Sequence, residues 1–572
     1  MNHSNTMNEP PKHATFNNEL IEFDCTIKFA TSTLLNCYIR EVTLSNDNYQ
    51  IIEKENKYFL NLVIFNQQLE IEIKRPSIAN YFIFISMPSI KTSQKTLTFD
   101  DLIYLINADL ASKHHTLLNF ELIEQAKNSI RNINFFIQYK QLNPSKNTFL
   151  QSEQGLLFGH EFHPAPKARF GVSLKELNAI SPEVSAKFKL TYFKVPKNAL
   201  KTYQSSTNLN LPNAIKETDD AILYPLHPYQ AEQILNNSHM MSILKQHNIQ
   251  PIGSLGDYFY PTSSVRTLFS PQEHYFYKFS LHIRLTNCLR KNAFYELENA
   301  IEINKILNKI KHQNHHAIIL GEPQAFTVDI DTDLEMKHQI QEYFGLIIRD
   351  NINQQDYQST YLALSLFSYR ENQAASIVNL IKSMSNQNYQ HNTLLWFNNY
   401  AKYLIEFCFD YYFKHGVVFE PHLQNILIKL DDKNLPNAIY IRDLEGSKLS
   451  QQFWDKNQFS YLSQNGKDAL FYTEKQSWNR LIYCLIINNL ASAIHYLSNH
   501  SYQLECQLYR ALKDILKHYQ ASNKNNRYLS EKIQQLLINP YLPYKANLRT
   551  RFLKTADKNA QYVNFDNPFL KV

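Results

Sequence analysis

The densest chemistry in the chain lies between His415 and Gly446. Glu420, His422, Gln424 and Asn425 follow one another closely. Two apolar runs, Ile426–Leu430 and Ala438–Ile441, then bracket a polar turn, and Arg442, Asp443 and Gly446 close the segment. A carboxylate, a nearby amide, a β-hairpin and a final aspartate form an order of groups suited to a metal-bound nucleotide. Mg²⁺ takes hard oxygen ligands beside phosphate oxygens, and Glu420, Gln424, Asn425 and Asp443 can supply them, with Glu420, Asn425 and Asp443 the expected metal set. The plainer reading is that these side chains only cap and turn a hairpin. Against it stands the cost of leaving several polar groups unpaired between two buried strands.

Two further polar islands precede this one. Gly155 to Gly171 holds His160, His163, Lys167 and Arg169 among prolines and glycines, which reads as a loop able to bind an anion. His160 and His163 lack the further ligands of a tetrahedral metal site. The second island runs from Tyr224 to Arg290 and centres on Ser264, Arg266 and Thr267, a turn Ser270–Glu273, and a returning strand His274–Thr286. With Phe269 opposite His274 or Tyr275, Arg266 falls opposite Lys278 or beside it on one face. Like charges placed so repel unless something anionic sits between them. A triphosphate would do this, with the Ser264 and Thr267 hydroxyls as added donors. In a regular strand Lys278 and Thr286 stand about 27 Å apart. Either the strand bends, or Lys278 meets phosphate while Thr286, Asn287 and Arg290 meet a second substrate. The planar fork of Arg290 suits a carboxylate. Because Arg266 and Lys278 read as lying on a polar face, replacing either by alanine is expected to stop catalysis and leave the fold nearly intact. The alternative for this face is a solvated sheet edge.

Elements that must position these groups can be read more coarsely. At 572 residues the chain is expected to form about three domains. After a polar tail over residues 1–15, a mixed region to residue 150 contains strands over Lys57–Phe65 and Leu69–Lys74, the second alternating apolar and charged residues. Leu297, Ala300, Ile303, Leu307 and Ile310 step by three or four and mark an amphipathic helix, and Leu394–Phe413 reads as another. Glycine numbers only 10, where average use of ~7% would give about 40, so it is reserved for sharp turns and close approaches. The net charge of +6 is interspersed rather than striped, which gives no support to nucleic-acid binding. The six cysteines form no paired motif, no apolar run is long enough to span a membrane, and the start of the chain lacks a signal-peptide pattern, so a reduced, cytoplasmic protein is expected.

The islands together resemble the IucA/IucC family of NRPS-independent siderophore synthetases. The resemblance rests on Gly159-His160-x-x-His163-Pro164-x-x-Lys167-x-Arg169-x-Gly171, His227-Pro228-Tyr229-Gln230, Ser264-x-Arg266-Thr267, Lys278-Phe279-Ser280-Leu281 with Thr286-x-x-x-Arg290, His422-x-Gln424-Asn425 and Arg442-Asp443-x-x-Gly446. Order and spacing agree over about residues 150 to 450, and Lys545 to Arg551 is similar to the family's C-terminal motif. Glu161 and Tyr229 depart from it, standing where proline and tryptophan are usual. The resemblance implies an α+β, multi-domain cradle: a thumb-like domain over 1–150, a fingers-like domain over 151–385 and a palm-like domain over 386–572. The palm would be kinase-like, with mixed and antiparallel sheets and C-terminal helices, usually in a homodimer. It implies ATP-dependent adenylation of citrate or a related carboxylate, then attack by an amine, a polyamine such as putrescine, or a hydroxylamine to give an amide, with AMP and pyrophosphate released. By resemblance His160 and Lys167 join Ser264, Arg266, Thr267 and Lys278 on the phosphate side. Thr286, Asn287, Arg290 and His422, with Arg480 as a further candidate, take the tricarboxylate, for which His160 also stands as a candidate. The competing functions are a small-molecule phosphotransferase, disfavoured by the lack of a glycine-rich phosphate loop, and a non-catalytic citrate-binding protein.

Overall fold

The computed structural model describes residues 24–43, 49–140, 147–207, 209–285, 288–310, 315–370, 374–384, 388–555 and 561–572. The polar tail and the candidates Thr286 and Asn287 lie outside these residues. Helices and sheets are mixed throughout, and among the described residues no helix is long and apolar enough to cross a membrane.

The first region packs helices Asp24–Tyr38, Phe99–His114 and Phe120–Tyr139 on an antiparallel sheet of four strands between Tyr49 and Ile90. The two expected strands are Lys57–Ile64 and Gln67–Ile73, joined at Phe65 and Asn66, both with positive φ. Leu60, Leu62, Leu69 and Ile71 fill the buried face, as period-2 alternation requires. Leu548 and Phe552, from near the other end of the chain, complete the same core.

The middle region is built on a nine-stranded sheet. At its centre the strand Tyr275–Phe279 runs between Thr267–Phe269 and Leu346–Asp350. Tyr277 and Phe279 point to an apolar core shared with Leu268, Leu346 and Ile348. Lys278 leaves from the opposite face, with Thr267 and Ile347 beside it in register. The strand ends at Phe279. It breaks at Ser280, and Leu281–Leu285 joins a separate three-stranded sheet whose apolar side, Leu281 and Ile283, packs on Phe135, Phe136 and Val265.

The last region centres on helix Tyr389–His415, which ends at Gly416 in the left-handed conformation (φ 64°). The expected hairpin follows as Ile426–Leu430 and Pro436–Ile441. The Asp431 side chain closes its turn by accepting from the backbone N–H groups of Lys433 and Leu435, both at 2.9 Å. The strands Ala317–Ile319 and Thr360–Leu362, from the middle of the sequence, flank this hairpin and make a four-stranded sheet. The middle and last thirds are therefore joined by backbone pairing, and their charged residues are held in fixed relation.

Candidate active site

The register of the central hairpin differs from the sequence expectation. Thr267, not Arg266, stands opposite Lys278, and Leu268 opposite Tyr277. The shift arises where the chain turns before Thr267. Val265 adopts φ 67°, and the Arg266 N–H donates to the Ser264 carbonyl at 2.8 Å, a tight γ-turn on a β-branched residue. Such strain persists where the surroundings over-determine it, and it clusters at functional sites. Here the turn carries Arg266 out of strand alternation.

The anion demanded between Arg266 and Lys278 is supplied by the chain itself. Glu445 Oε2 lies 2.7 Å from Lys278 Nζ and 3.1 Å from Arg266 Nη2. Asp443, also in the left-handed region (φ 79°), accepts from Lys278 and, at 2.7 Å, from Arg349 Nη2. Arg349 in turn grips Glu322 Oε1 through Nε at 2.9 Å and Nη2 at 2.6 Å. Three cations and three carboxylates thus interlock around Lys278, which is 1% exposed. Burial pulls the Lys278 ammonium down, but Asp443, Glu445 and Glu322 outweigh it and hold the group above its ordinary value. Burial also opposes charge on Asp443, yet Lys278, Arg349 and Arg266 keep its carboxyl well below the usual range. The expectation of a solvated polar face is corrected: Arg266 and Lys278 are buried members of a network, and removing either leaves a buried carboxylate short of a partner.

The break at Ser280 also changes the path of the chain beyond Lys278. Leu281 pairs with Arg290 across the following hairpin, so the chain returns towards Lys278. The Arg266 guanidinium donates to the Asn292 side chain at 2.6 Å and to the carbonyls of Arg290 and Lys291 at 3.4 and 3.3 Å. Asn292 is tied to the Lys278 carbonyl at 3.0 Å. Arg290 therefore starts beside the charged cluster rather than a strand length away.

The loop after Gly416 forms the facing wall. Glu420 Oε1 is 2.5 Å from Arg480 Nη2, which also donates to the Gly446 carbonyl at 3.2 Å, while Arg480 Nη1 reaches the Tyr472 hydroxyl at 3.1 Å. Asn425 donates to the Glu420 carbonyl at 3.1 Å. Gln424 Nε2 lies 3.5 Å from Ser263 Oγ, and Arg442 donates twice to the Gln424 carbonyl, at 3.1 and 2.8 Å. Buried Glu153 joins three segments by accepting from Arg442 at 2.6 Å and from the Ser263 N–H at 3.0 Å. His422 is partly buried, and desolvation pushes its imidazole below the ordinary range. His160 is linked to the same loop through Asn488: its Nε2 lies 2.6 Å from the Asn488 amide, whose oxygen accepts from the Leu423 N–H at 3.4 Å. Burial, with His163 and His422 nearby, brings His160 down to about 3, so the ring is neutral. Asn488 and Asn489 lie on the π-helical turn Tyr483–Leu490, a rare geometry common at functional sites, and Asn489 donates to the Pro421 carbonyl at 2.8 Å.

Ser264 and Thr267 are turned inward, the Ser264 hydroxyl accepting from the Thr267 N–H at 3.1 Å. Lys167 is held by Glu183: its ammonium is 2.6 Å from that carboxylate, which Arg169 also holds at 2.7 Å. Among the described residues no three His, Cys, Asp or Glu side chains converge as a complete metal cage. The donors still fit Mg²⁺, which keeps waters and phosphates in its shell and needs only one or two carboxylates. Asp443 meets Lys278 and Arg349 through Oδ1 alone, which leaves Oδ2 for a cation. Glu322, Arg349, Glu445, Glu153, Asn292 and Asn488 were not singled out by sequence. Glu445 could have been, as the one acid inside Asp443-x-x-Gly446, and Arg349 as the charge ending the apolar run Leu346–Ile348.

The fold is that of aerobactin synthetase IucA. The ATP-bound structure of that enzyme from a hypervirulent pathotype of Klebsiella pneumoniae matches with a TM-score of 0.82 and 21% identity, covering 95% of this chain and 99% of that one. The IucA / IucC family description matches residues 148–368, and that of the ferric iron reductase FhuF-like transporter matches residues 394–560. Relatives include an L-2,3-diaminopropanoate–citrate ligase of Staphylococcus aureus, 25% identical over 470 residues, covering 78% of this chain and 79% of that protein. A spermidine–citrate ligase of Bacillus anthracis is 25% identical over 487 residues, covering 79% of each. The resemblance to the IucA/IucC family seen in the sequence is thus matched over residues 148–368.

Proposed function

We propose that this protein is a cytoplasmic, ATP-dependent carboxylate–amine ligase of siderophore biosynthesis for iron acquisition. It adenylates citrate or a citrate derivative, releases pyrophosphate, and condenses the acyl adenylate with an amine to give an amide and AMP. The observation that carries the reading is the meeting of Arg266 and Lys278 with Asp443 and Glu445, residues from distant parts of the sequence, in one buried cluster. Relatives that are citrate ligases, and the ATP-bound state of a protein of the same fold, support it.

The site suits the chemistry. A citrate carboxylate attacks the α-phosphorus, the bond to the bridging oxygen breaks, and negative charge gathers on phosphate oxygens. Preorganised cations lower the cost of that charge. Arg266 and Lys278 take the phosphates, with Arg349 and Glu322 fixing Lys278 and Asp443 in place. Ser264 and Thr267 orient the phosphates, and Gln424 and Asn425 position the nucleotide side. Glu420, Asn425 and Asp443 would hold Mg²⁺, which when bound neutralises phosphate charge and orients the oxygens. Arg290, His422 and neutral His160 face the tricarboxylate, and Thr286 and Asn287 are proposed to share that role. Arg480 fixes Glu420, and Lys167 fixes the His160 loop through Glu183. The proposed cradle of thumb, fingers and kinase-like palm, paired as a homodimer, brings these regions together around one cleft.

The test is to incubate the pure protein with ATP, Mg²⁺, citrate and a panel of amines and hydroxylamines, putrescine among them. AMP, pyrophosphate and an amide seen by mass spectrometry are expected. ADP as the sole nucleotide product would make it a phosphotransferase, and citrate retention without ATP turnover would make it a binding protein.

A further inference from the structure

One buried cation of the first region has no role in the scheme above. Arg40 lies on the π-helical turn Ile39–Thr43, which extends helix Asp24–Tyr38, and it is 1% exposed. Its guanidinium donates to the main-chain carbonyls of Ala79 at 2.8 Å and Asn80 at 3.1 Å, and Nη1 has no hydrogen-bond partner among the described residues. No carboxylate among those residues closes an ion pair with it. Glu161, the acid between His160 and Phe162, turns instead to the Tyr369 N–H at 2.9 Å and to the Tyr496 hydroxyl. A buried charge without a counter-ion is costly to hold, so stability alone gives poor reason to keep it.

What surrounds Arg40 is aromatic. The guanidinium carbon stands 3.7 Å from the centre of the Phe162 ring, 5.2 Å from that of Phe565, 5.3 Å from that of Tyr81 and 5.7 Å from that of Tyr544. A planar cation this close to a ring face fixes where that ring lies. Phe162 is in turn the partner of His160, for its N–H donates to His160 Nδ1 at 3.0 Å. The Phe162 carbonyl accepts from Asn547 at 2.9 Å, and Glu41, next to Arg40, caps the helix that Asn547 begins by accepting from the N–H groups of Leu548 and Arg549. The turn Ile39–Thr43 thus acts on Phe162 twice, on its ring through Arg40 and on its carbonyl through Glu41 and Asn547. The other nitrogen of the imidazole is met from the π-helical turn Tyr483–Leu490, whose Asn488 lies 2.6 Å from Nε2. Each ring nitrogen of His160 is therefore governed from a π-helical turn, a rare geometry frequent at functional sites.

We propose that Arg40 is a positioning residue for the citrate side of the reaction, setting through Phe162 the orientation in which His160 meets the carboxylate. The inference rests on the ligase reading, in which His160 faces the tricarboxylate, and it gives a task to the first region, to which that reading assigns no residue. Arg40 touches no substrate in this scheme; it acts only through the ring and backbone of Phe162.

The experiment measures citrate-dependent ATP–pyrophosphate exchange in Arg40→Met, Phe162→Leu, His160→Asn and the double variant of Arg40→Met with His160→Asn. A displacement of about 1 Å at a positioned group can cost about a hundredfold, so Arg40→Met and Phe162→Leu are each expected to raise the KM for citrate about tenfold or more and to leave the KM for ATP within about threefold. In the His160→Asn background Arg40→Met should add nothing further, because the group it acts through is gone. Phe162→Leu leaves Arg40 its carbonyl bonds and carries the test if Arg40→Met does not fold. A readout without turnover is the His160 imidazole NMR resonance, identified by its absence from His160→Asn, which should shift in both Arg40→Met and Phe162→Leu. Equal rises in KM for citrate and ATP, an undiminished Arg40→Met loss in the double variant, or an unmoved His160 resonance overturns the proposal. Absent exchange in wild type sinks the ligase reading instead, and the resonance then still decides whether Arg40 sets His160.

Discussion

Replacing Lys278 by methionine probes the centre of the network at nearly constant side-chain volume. Removing one partner of a buried ion pair costs about 3–5 kcal/mol, because the other charge stays buried. Each carboxylate here keeps a second cation: Arg349 at 2.7 Å from Asp443, and Arg266 at 3.1 Å from Glu445. The lower end, about 3 kcal/mol, is therefore expected, a fall in Tm of about 6–12 °C for a unit of this size. Asp443 and Glu445 are held low by Lys278 among others, so their pKa values rise in the variant. Their charge then becomes the liability, and the Tm gap to wild type narrows as pH falls and protons neutralise them. Citrate-dependent ATP–pyrophosphate exchange should fall at least about a hundredfold, the usual cost of removing a group that stabilises transition-state charge. Thermal melts at pH 7.5 and 5.5, with exchange assays at 25 °C, make the measurement. An unchanged Tm would refute the network as a stabilising unit. Exchange within about threefold of wild type would refute Lys278 as a phosphate ligand.

Three further outcomes are expected. A Cβ at Gly446 would collide with the Glu420 carboxylate, so Gly446→Ala should push Glu420 off Arg480 and cut amide formation about tenfold or more, with a Tm shift of no more than about 3 °C. Titrating Mg²⁺ into EDTA-treated enzyme should restore AMP formation, and Asp443→Asn should need about ten times more Mg²⁺; an unaltered Mg²⁺ curve would remove Asp443 from the ligand set. His160 stays neutral in the folded state, at about 3, whereas the unfolded chain protonates near 6.5. Its contribution to stability is therefore present above pH 6.5 and lost as pH falls below it, and urea melts at pH 7.5 and 5.5 should show wild type losing about 1 kcal/mol more than His160→Asn.

Local structure was legible where one pattern ruled alone. The Lys57–Ile73 hairpin followed from alternation, helix Phe294–Lys309 from its three–four stepping, and the Ile426–Ile441 hairpin from two apolar runs around a turn. The site was legible as a demand: two cations on neighbouring strands need an anion. What supplies that anion was not, because Glu445 comes from 179 residues beyond Arg266, and sequence separation carries no distance. The register was missed because Val265 adopts a strained turn that its side chain would argue against. The break at Ser280 was foreseen only as one of two options, since alternation continues unbroken through a bend that changes which core the apolar face meets. Arg349 was hidden by apolar neighbours, and no local signal distinguishes a buried working charge from a strand-end cation.

Leu548 and Phe552 finish the core of the first region, and the Glu41 carboxylate accepts from the backbone N–H groups of Leu548 and Arg549, both at 2.9 Å. At about 5–20 residues per second, translation exposes residue 41 tens of seconds before residue 548 leaves the ribosome. Through that interval the nascent first region carries an unsealed apolar seam and a carboxylate without its amides. Its maturation is thus a late event, and variants that slow the docking of residues 547–552 should show first as chaperone dependence and poor yield rather than as altered catalysis.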